Sequence, residues 1–273
     1  MVHVCIVSSS RKKFIANYEH SGCWLFHDLS LTFHLGKDIF FGMQFKTNLI
    51  KGKLLKRYKR FLADIILEDG TEVTAHCPNP GSMMGLAAAG TKVWLEPNKD
   101  PEKKLKFGWR LVEYEDHMIC VDTTIANIVI KEALEEKEIP ELIYHDFKSE
   151  VKYSDNSRID FLLRSPSQQT YLEIKSVTLM REKGIAEFPD SITKRGSKHL
   201  DDLSKMVKSG HKSVLLFLCM RSDVDSVRIA ADLDSIYNAN IKAALETGVQ
   251  LICYDTQVTR FGVRLGKPIV VEI

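Results

Sequence analysis

Two apolar runs, Arg158-Ile159-Asp160-Phe161-Leu162-Leu163 and Tyr171-Leu172-Glu173-Ile174-Lys175-Ser176, carry charge in their middles and are separated by a short polar loop. Side chains alternate along a strand, so Glu173 and Lys175 share one face while Leu172 and Ile174 take the other. The loop holds Ser165-Pro166-Ser167-Gln168, which supplies turn chemistry. A hairpin turning between Pro166 and Ser167 places Asp160 directly opposite Glu173, on the face that also carries Lys175. Two carboxylates opposed on an apolar sheet are costly to keep ionised, and a divalent cation removes that cost. Oxygen ligands on one side, with room for water and phosphate on the other, suit Mg²⁺, with Mn²⁺ as its substitute. A lysine beside them can orient or deprotonate an attacking water, or stabilise charge building on a phosphodiester. The bland alternative is a salt-bridged cluster on a solvated sheet face. Context favours chemistry: Glu132 stands on the helix before, and Arg195, Lys198 and His199 stand near the start of the helix after.

The neighbouring rhythm is α/β. A helix over 123–138 starts at a Thr124 cap, carries the apolar stripe Ile125, Ile128, Val129, Ala133 and Leu134, and stops at Pro140. Strands follow at 147–153, 158–163 and 171–178, then a helix at 194–207 closed by Gly210 and a buried strand at 213–220. A helix at 236–245 and strands at 251–254 and 258–263 complete the domain. Upstream the texture is β: short runs at 62–67, 73–77, 93–95, 109–114 and 118–121 alternate with Gly, Pro and Asn turns. Five such strands predict a small barrel, and the oligonucleotide-binding barrel has that count, as other small barrels do. The first 42 residues hold four of the nine His, fit neither helix nor strand, and read as an extension ahead of a domain opening at Met43. The division expected is therefore 1–42 as an atypical extension, 43–122 as the barrel and 123–273 as the α/β domain.

Total charge does not name a partner, since 38 Lys and Arg against 36 Asp and Glu leave a formal charge of only +2. Local charge does. Between Gln44 and Ala63 stand seven bases and no acid, and of this run Lys53, Lys56, Arg57, Lys59 and Arg60 are the expected phosphate contacts, with Tyr58 to stack on a base. The alternative is a solvated basic face over core aromatics. The turn Asn79-Pro80-Gly81 offers Asn79 and Ser82 as phosphate hydrogen-bond donors. His76 and Cys77 are adjacent and so point to opposite faces of a strand, while His117 and Cys120 lack two further partners, so no zinc site is expected. Six Cys without a C-x-x-C suit a reducing compartment, and no apolar run reaches a membrane span. The expectation is a cytoplasmic protein with nucleic acid as partner, DNA before RNA, no membrane, and self-association left open.

Several strings, in order, resemble those of the sugar fermentation stimulation protein A (SfsA) family: LLKRYKRFLADI at 54–65, TAHCPNPGSMMG at 74–85, SRIDFLL at 157–163, YLEIKSVTL at 171–179, FPD at 188–190 and KRGSKHL at 194–200. The resemblance runs from about Met43 to Ile273. It implies an oligonucleotide-binding-like barrel followed by a PD-(D/E)xK nuclease-like α/β domain, a DNA-binding role, and a historical link to maltose metabolism. Ile159 stands where the motif's name has proline. On this resemblance Asp160 and Glu173 are metal ligands, Lys175 is the catalytic lysine and Glu132 is a further metal-site acid, with Glu150 as its rival. Arg195, Lys198 and His199 would contact phosphate. The expected function is a Mg²⁺-dependent nuclease acting on DNA or RNA. The alternative is a non-catalytic DNA-binding transcriptional regulator of sugar metabolism, whereas a sugar-converting enzyme finds no residues to support it.

Overall fold

The computed structural model describes residues 5–9, 12–18, 24–26, 42–154 and 157–273. Two compact units divide the chain, Met1–Ile39 and Phe40–Ile273. In the first, strands β1 (Cys5–Ser9), β2 (Lys12–Tyr18) and β3 (Trp24–Phe26) form an antiparallel sheet in that order. These segments correct the expectation of a stretch with no strand pattern. The rest of the expected extension, up to Phe41, lies outside the described residues.

In the second unit β4 (Met43–Gln44) comes first, followed by β5 (Ile50–Tyr58), β6 (Leu62–Leu67), β7 (Glu72–His76), β8 (Lys92–Pro97), β9 (Phe107–Tyr114) and β10 (His117–Cys120). Strands β5 to β9 close into a five-stranded barrel, because the order β9-β7-β6-β5-β8 returns from β8 to β9. The strand count expected was right but its membership was not: β5 was missed, and β10 is a hairpin partner of β9 outside the ring. β5 hides in the sequence because its outward positions are basic and Gly52 interrupts the apolar alternation. A Cβ on Gly52 would stand 2.6 Å from Ile65 Cγ2 and 2.8 Å from the Ile66 carbonyl oxygen, so the crossing strands require glycine there. The barrel core is filled by Leu54, Ile65, Val93, Leu95 and Trp109.

The α/β part comprises α1 (Thr124–Glu135), β11 (Asp146–Ser154), β12 (Ser157–Arg164), β13 (Gln169–Val177), β14 (Leu179–Glu182), β15 (Gly184–Phe188), α2 (Lys194–Lys208), β16 (Lys212–Cys219), β17 (Val224–Ile229), α3 (Ser235–Thr247), β18 (Gln250–Thr259), β19 (Gly262–Pro268) and β20 (Val270–Glu272). Its main sheet has seven strands in the order β11-β12-β13-β16-β18-β19-β4. Met43 pairs with Val263 and is buried, so 43–44 belong to this sheet and not to the barrel as expected. One face packs on α1, the other on α2 and α3.

Three local expectations are corrected by packing. The buried stripe of α1 is Ile125, Ala126, Val129, Ile130, Ala133 and Leu134, while Ile128 is 44% exposed. The N-cap position is Thr123, which makes no side-chain cap bond, and Asp122 before it serves the helix start: its Oδ1 accepts from the Thr124 N–H and hydroxyl at 2.9 and 2.6 Å. The strand expected at 258–263 is a tight turn instead: Val258 pairs with Val263, and Thr259 Oγ1 accepts from the Phe261 and Gly262 N–H groups. A second sheet, β14-β15-β17-β20, was not foreseen, its strands being short and its pairing non-local.

Candidate active site

The β12–β13 hairpin has the frame expected from its turn, with Phe161 opposite Leu172 and Leu162 opposite Tyr171. The ladder ends one rung before Asp160 and Glu173. Instead of a backbone pair, Asp160 Oδ2 accepts the Ile174 N–H at 2.7 Å and its Oδ1 accepts from Asn127 Nδ2 of α1 at 2.8 Å. On the other side β11 pairs Ser149 with Phe161 and Val151 with Ile159, leaving Glu150 facing the Asp160 position with φ of 54°. The left-handed region is uncommon for glutamate, and it marks a local break in the ladder. The β12–β13 ladder thus ends at Asp160, while β11 keeps its register on either side of that position.

Glu173 is 2% exposed. Its Oε1 accepts from Lys175 Nζ at 2.6 Å and forms a short contact with His199 Nδ1, and Lys175 Nζ lies 3.3 Å from that same nitrogen. The other oxygen, Oε2, is buried and has no hydrogen-bond partner among the described residues. Burial pushes Asp160 up to about 6, helped by the Glu173 charge and resisted by the Ile174 N–H, Asn127 and Lys175. Burial also works to raise Glu173, but Lys175 and His199 together outweigh it and hold this carboxylate below its ordinary value. The two acids are therefore driven apart in acidity, a pattern that concentrates at reactive sites.

These groups line a cleft of about 830 Å³. Its walls come from the start of α1 (Thr124, Asn127), the strand acids Glu150, Asp160 and Glu173, the 187–195 segment with Arg195, and the barrel's Arg60 and Gly81. The barrel wall is fastened by Asp190, whose Oδ2 accepts the Met83 N–H at 3.0 Å and whose backbone oxygen accepts from Ser82 Oγ at 2.7 Å. From the other side Arg57 grips the same loop, donating to the carbonyls of Asn79, Gly81 and Ser82 at 2.8, 2.9 and 3.1 Å.

Several expected site residues lie elsewhere. Glu132 does not line the cleft. It is five positions past Asn127, about 140° around the helix, and its carboxyl is raised by burial and by Glu135 and Glu138. Lys198 turns away to Ser157 Oγ at 2.6 Å and Asp202 at 3.5 Å. Arg57 is consumed by carbonyls, and Lys56 and Tyr58 both engage Asp64, at 3.4 and 3.1 Å. Lys53, Lys59 and Arg60 stay exposed, with Lys59 and Arg60 forming a positive-φ turn. Asn79 is buried and bonded to the Val121 oxygen and the Gly81 N–H, so neither it nor Ser82 is a free phosphate donor. Asn127 and Asp190 were missed; Asn127 would have been legible had the α1 stripe been placed through Ala126 and Ile130.

The residues fit a hard cation on one observation, the unpaired buried Glu173 Oε2 beside a second carboxylate. Among the described residues no three His, Cys, Asp or Glu groups converge into a closed cage. Two carboxylates with an open side suit an ion that retains waters. No described helix is long and apolar enough to cross a membrane.

Comparison with known proteins covers both parts of the second unit. Residues 55–121 match the family described as the SfsA N-terminal OB domain, and residues 124–262 match the sugar fermentation stimulation protein RE domain. A sugar fermentation stimulation protein homolog of Ruegeria pomeroyi is 54% identical over 227 residues, covering 82% of this chain and 99% of its own. One from Roseobacter denitrificans is 50% identical, covering 85% and 100%. The fold is similar to that of Pyrococcus furiosus SfsA, solved in complex with Ca²⁺, with TM-score 0.78, 21% identity and coverage of 86% of this chain and 100% of that one.

Proposed function

The chain belongs to the sugar fermentation stimulation protein family, and we propose that this member is a metal-dependent nuclease that hydrolyses phosphodiester bonds of DNA or RNA. The observation carrying this reading is the meeting of Asp160, Glu173, Lys175 and His199 at the floor of one cleft, with a buried carboxylate oxygen left unpaired. Asp160 and Glu173 would hold Mg²⁺ or Mn²⁺, which supplies Lewis-acid polarisation of the phosphoryl group when bound. The Ca²⁺ bound by the Pyrococcus relative is consistent with an oxygen-ligand site.

The chain's own groups then have separable tasks. Asn127 and the Ile174 N–H hold the two Asp160 oxygens in place. The contact of His199 Nδ1 with Glu173 Oε1 joins Lys175 in holding that carboxylate below its ordinary value. Lys175 Nζ carries positive charge and exchangeable protons at the site, suited to orient the attacking water and to stabilise charge on the phosphoryl oxygens. Arg60 and Arg195 at the walls attract phosphates without reading bases.

The rival, a nucleic-acid-binding regulator that does not cut, is favoured by the lack of a closed acid cage among the described residues and by the mutual pairing of Glu173 and Lys175. Incubation of purified protein with labelled single- and double-stranded DNA and RNA, in Mg²⁺, in Mn²⁺ and in chelator, decides between them. Metal-dependent products that vanish in Lys175→Ala support the nuclease. Binding without products in either metal would leave the regulator.

A further inference from the structure

A second groove, of about 650 Å³, lies on the barrel away from the acidic cluster. Its lining includes Lys46, His76, Lys99, Lys103, Lys104 and Phe107. Two carboxylates also border it. Glu96 is only 7% exposed and is spent on Arg110 Nε at 2.9 Å and the Lys46 N–H at 2.5 Å. Asp100 is exposed and turns one oxygen to the Glu102 N–H at 3.0 Å. None of the four lysines makes an ion pair with a described residue. The groove is therefore a concentration of uncommitted ammonium groups over a partly apolar floor, which suits a polyanion with flat apolar faces.

The groove is joined to the cleft by consecutive residues. Arg60 lines the cleft, and the next residue, Phe61, is 42% exposed. The Phe61 ring lies against that of His76, with centroids 6.4 Å apart, and His76 lines the groove. From the reacting groups outward the surface presents a guanidinium, an exposed aromatic ring, an imidazole and then lysines. Rings flanked by cations on both sides suit a single strand, whose unpaired bases are free to stack on them.

We propose that one single strand of nucleic acid occupies the cleft and the groove together, crossing Phe61 and His76 between them and laying phosphates against Lys103 and Lys104. This rests on the nucleic-acid reading of the cleft and adds its substrate form and its path. The test is fluorescence anisotropy of a labelled oligonucleotide of about 20 nucleotides, in chelator and across a salt series, with the full chain. The expected result is that Lys103→Ala/Lys104→Ala lowers the slope of log affinity against log salt by about 1.4, roughly 0.7 for each phosphate no longer neutralised. His76→Ala is expected to weaken binding about 10-fold with no change in slope, and duplex of the same sequence to compete poorly. Wild-type affinity and slope in both variants, or equal competition by duplex, overturns this proposal and leaves the nucleic-acid reading standing. Absence of any binding by the wild-type chain overturns both.

Discussion

The basic strand of the barrel and the acidic floor of the cleft are both clusters of like charge, and the fold partners them in different ways. On the barrel, Lys51 pairs with Glu113, Lys56 with Asp64, and Arg57 with the carbonyls of the 79–82 loop. In the cleft, burial pushes Asp160 beside Glu173 up to about 6, and Glu173 keeps a buried oxygen without a partner among the described residues. Charge that finds internal partners has become architecture; charge buried without enough of them is held ready for something from outside. Density of Lys and Arg along a sequence is therefore a poor measure of the charge a surface can offer.

The sharpest way to break this comparison is at Lys175. If the cleft is reactive, Lys175→Met cuts the rate of phosphodiester cleavage at least about 100-fold while folding is retained, as single-turnover assays with Mn²⁺ would register. Unchanged cleavage would put the reacting groups elsewhere. Next is Arg57, whose truncation strands several carbonyls at once: Arg57→Ala should lower unfolding free energy by about 2 kcal/mol in urea titrations. A loss confined to nucleic-acid affinity would return Arg57 to the binding surface.

Asp160 gives a prediction of opposite sign. Its folded pKa of about 6 lies above the ordinary 3.8, so the folded chain binds more protons and stability falls as pH rises from about 4 to about 6, then levels off. Asp160→Asn should therefore stabilise the chelated protein by about 2 kcal/mol at about pH 7 and hardly at all at about pH 4, while abolishing any stabilisation by Mg²⁺ or Mn²⁺. Equal stability of the two proteins at the higher pH would remove the claim that this carboxylate is held at a cost. The smallest effect belongs to Lys56, 68% exposed and 3.4 Å from Asp64: Lys56→Ala should change stability by less than about 0.5 kcal/mol.

What could be read beforehand follows the range of the forces involved. The hairpin frame was legible because turn residues and period-two alternation act within about twenty positions, and Phe161 does face Leu172. The opening of the ladder at Asp160 was not, since it depends on Asn127 reaching across from α1 and on Ile174 giving its N–H to a side chain. On α1 the sequence offers Glu132 as the acid, with Glu150 on β11 as its rival, and a stripe drawn through Ile128 in place of Ala126 and Ile130 hides the part of the helix from which Asn127 reaches Asp160. His199 was singled out as one of three bases, but only the fold separates it from Lys198, which binds Ser157 and Asp202. The second sheet escaped notice because β15, β17 and β20 pair in parallel across long separations, which local pattern does not encode.

The pairing of β4 with β19 has a mechanical consequence. Since β4 precedes the barrel and α1 follows it, the barrel is spliced into the α/β domain and tethered at both ends. A pendant domain hangs on a single strap, whereas this barrel is held both where the chain enters it and where the chain leaves it. Without β4, residues 123–273 would bare the part of the β19 edge that it covers, a template for intermolecular strand addition.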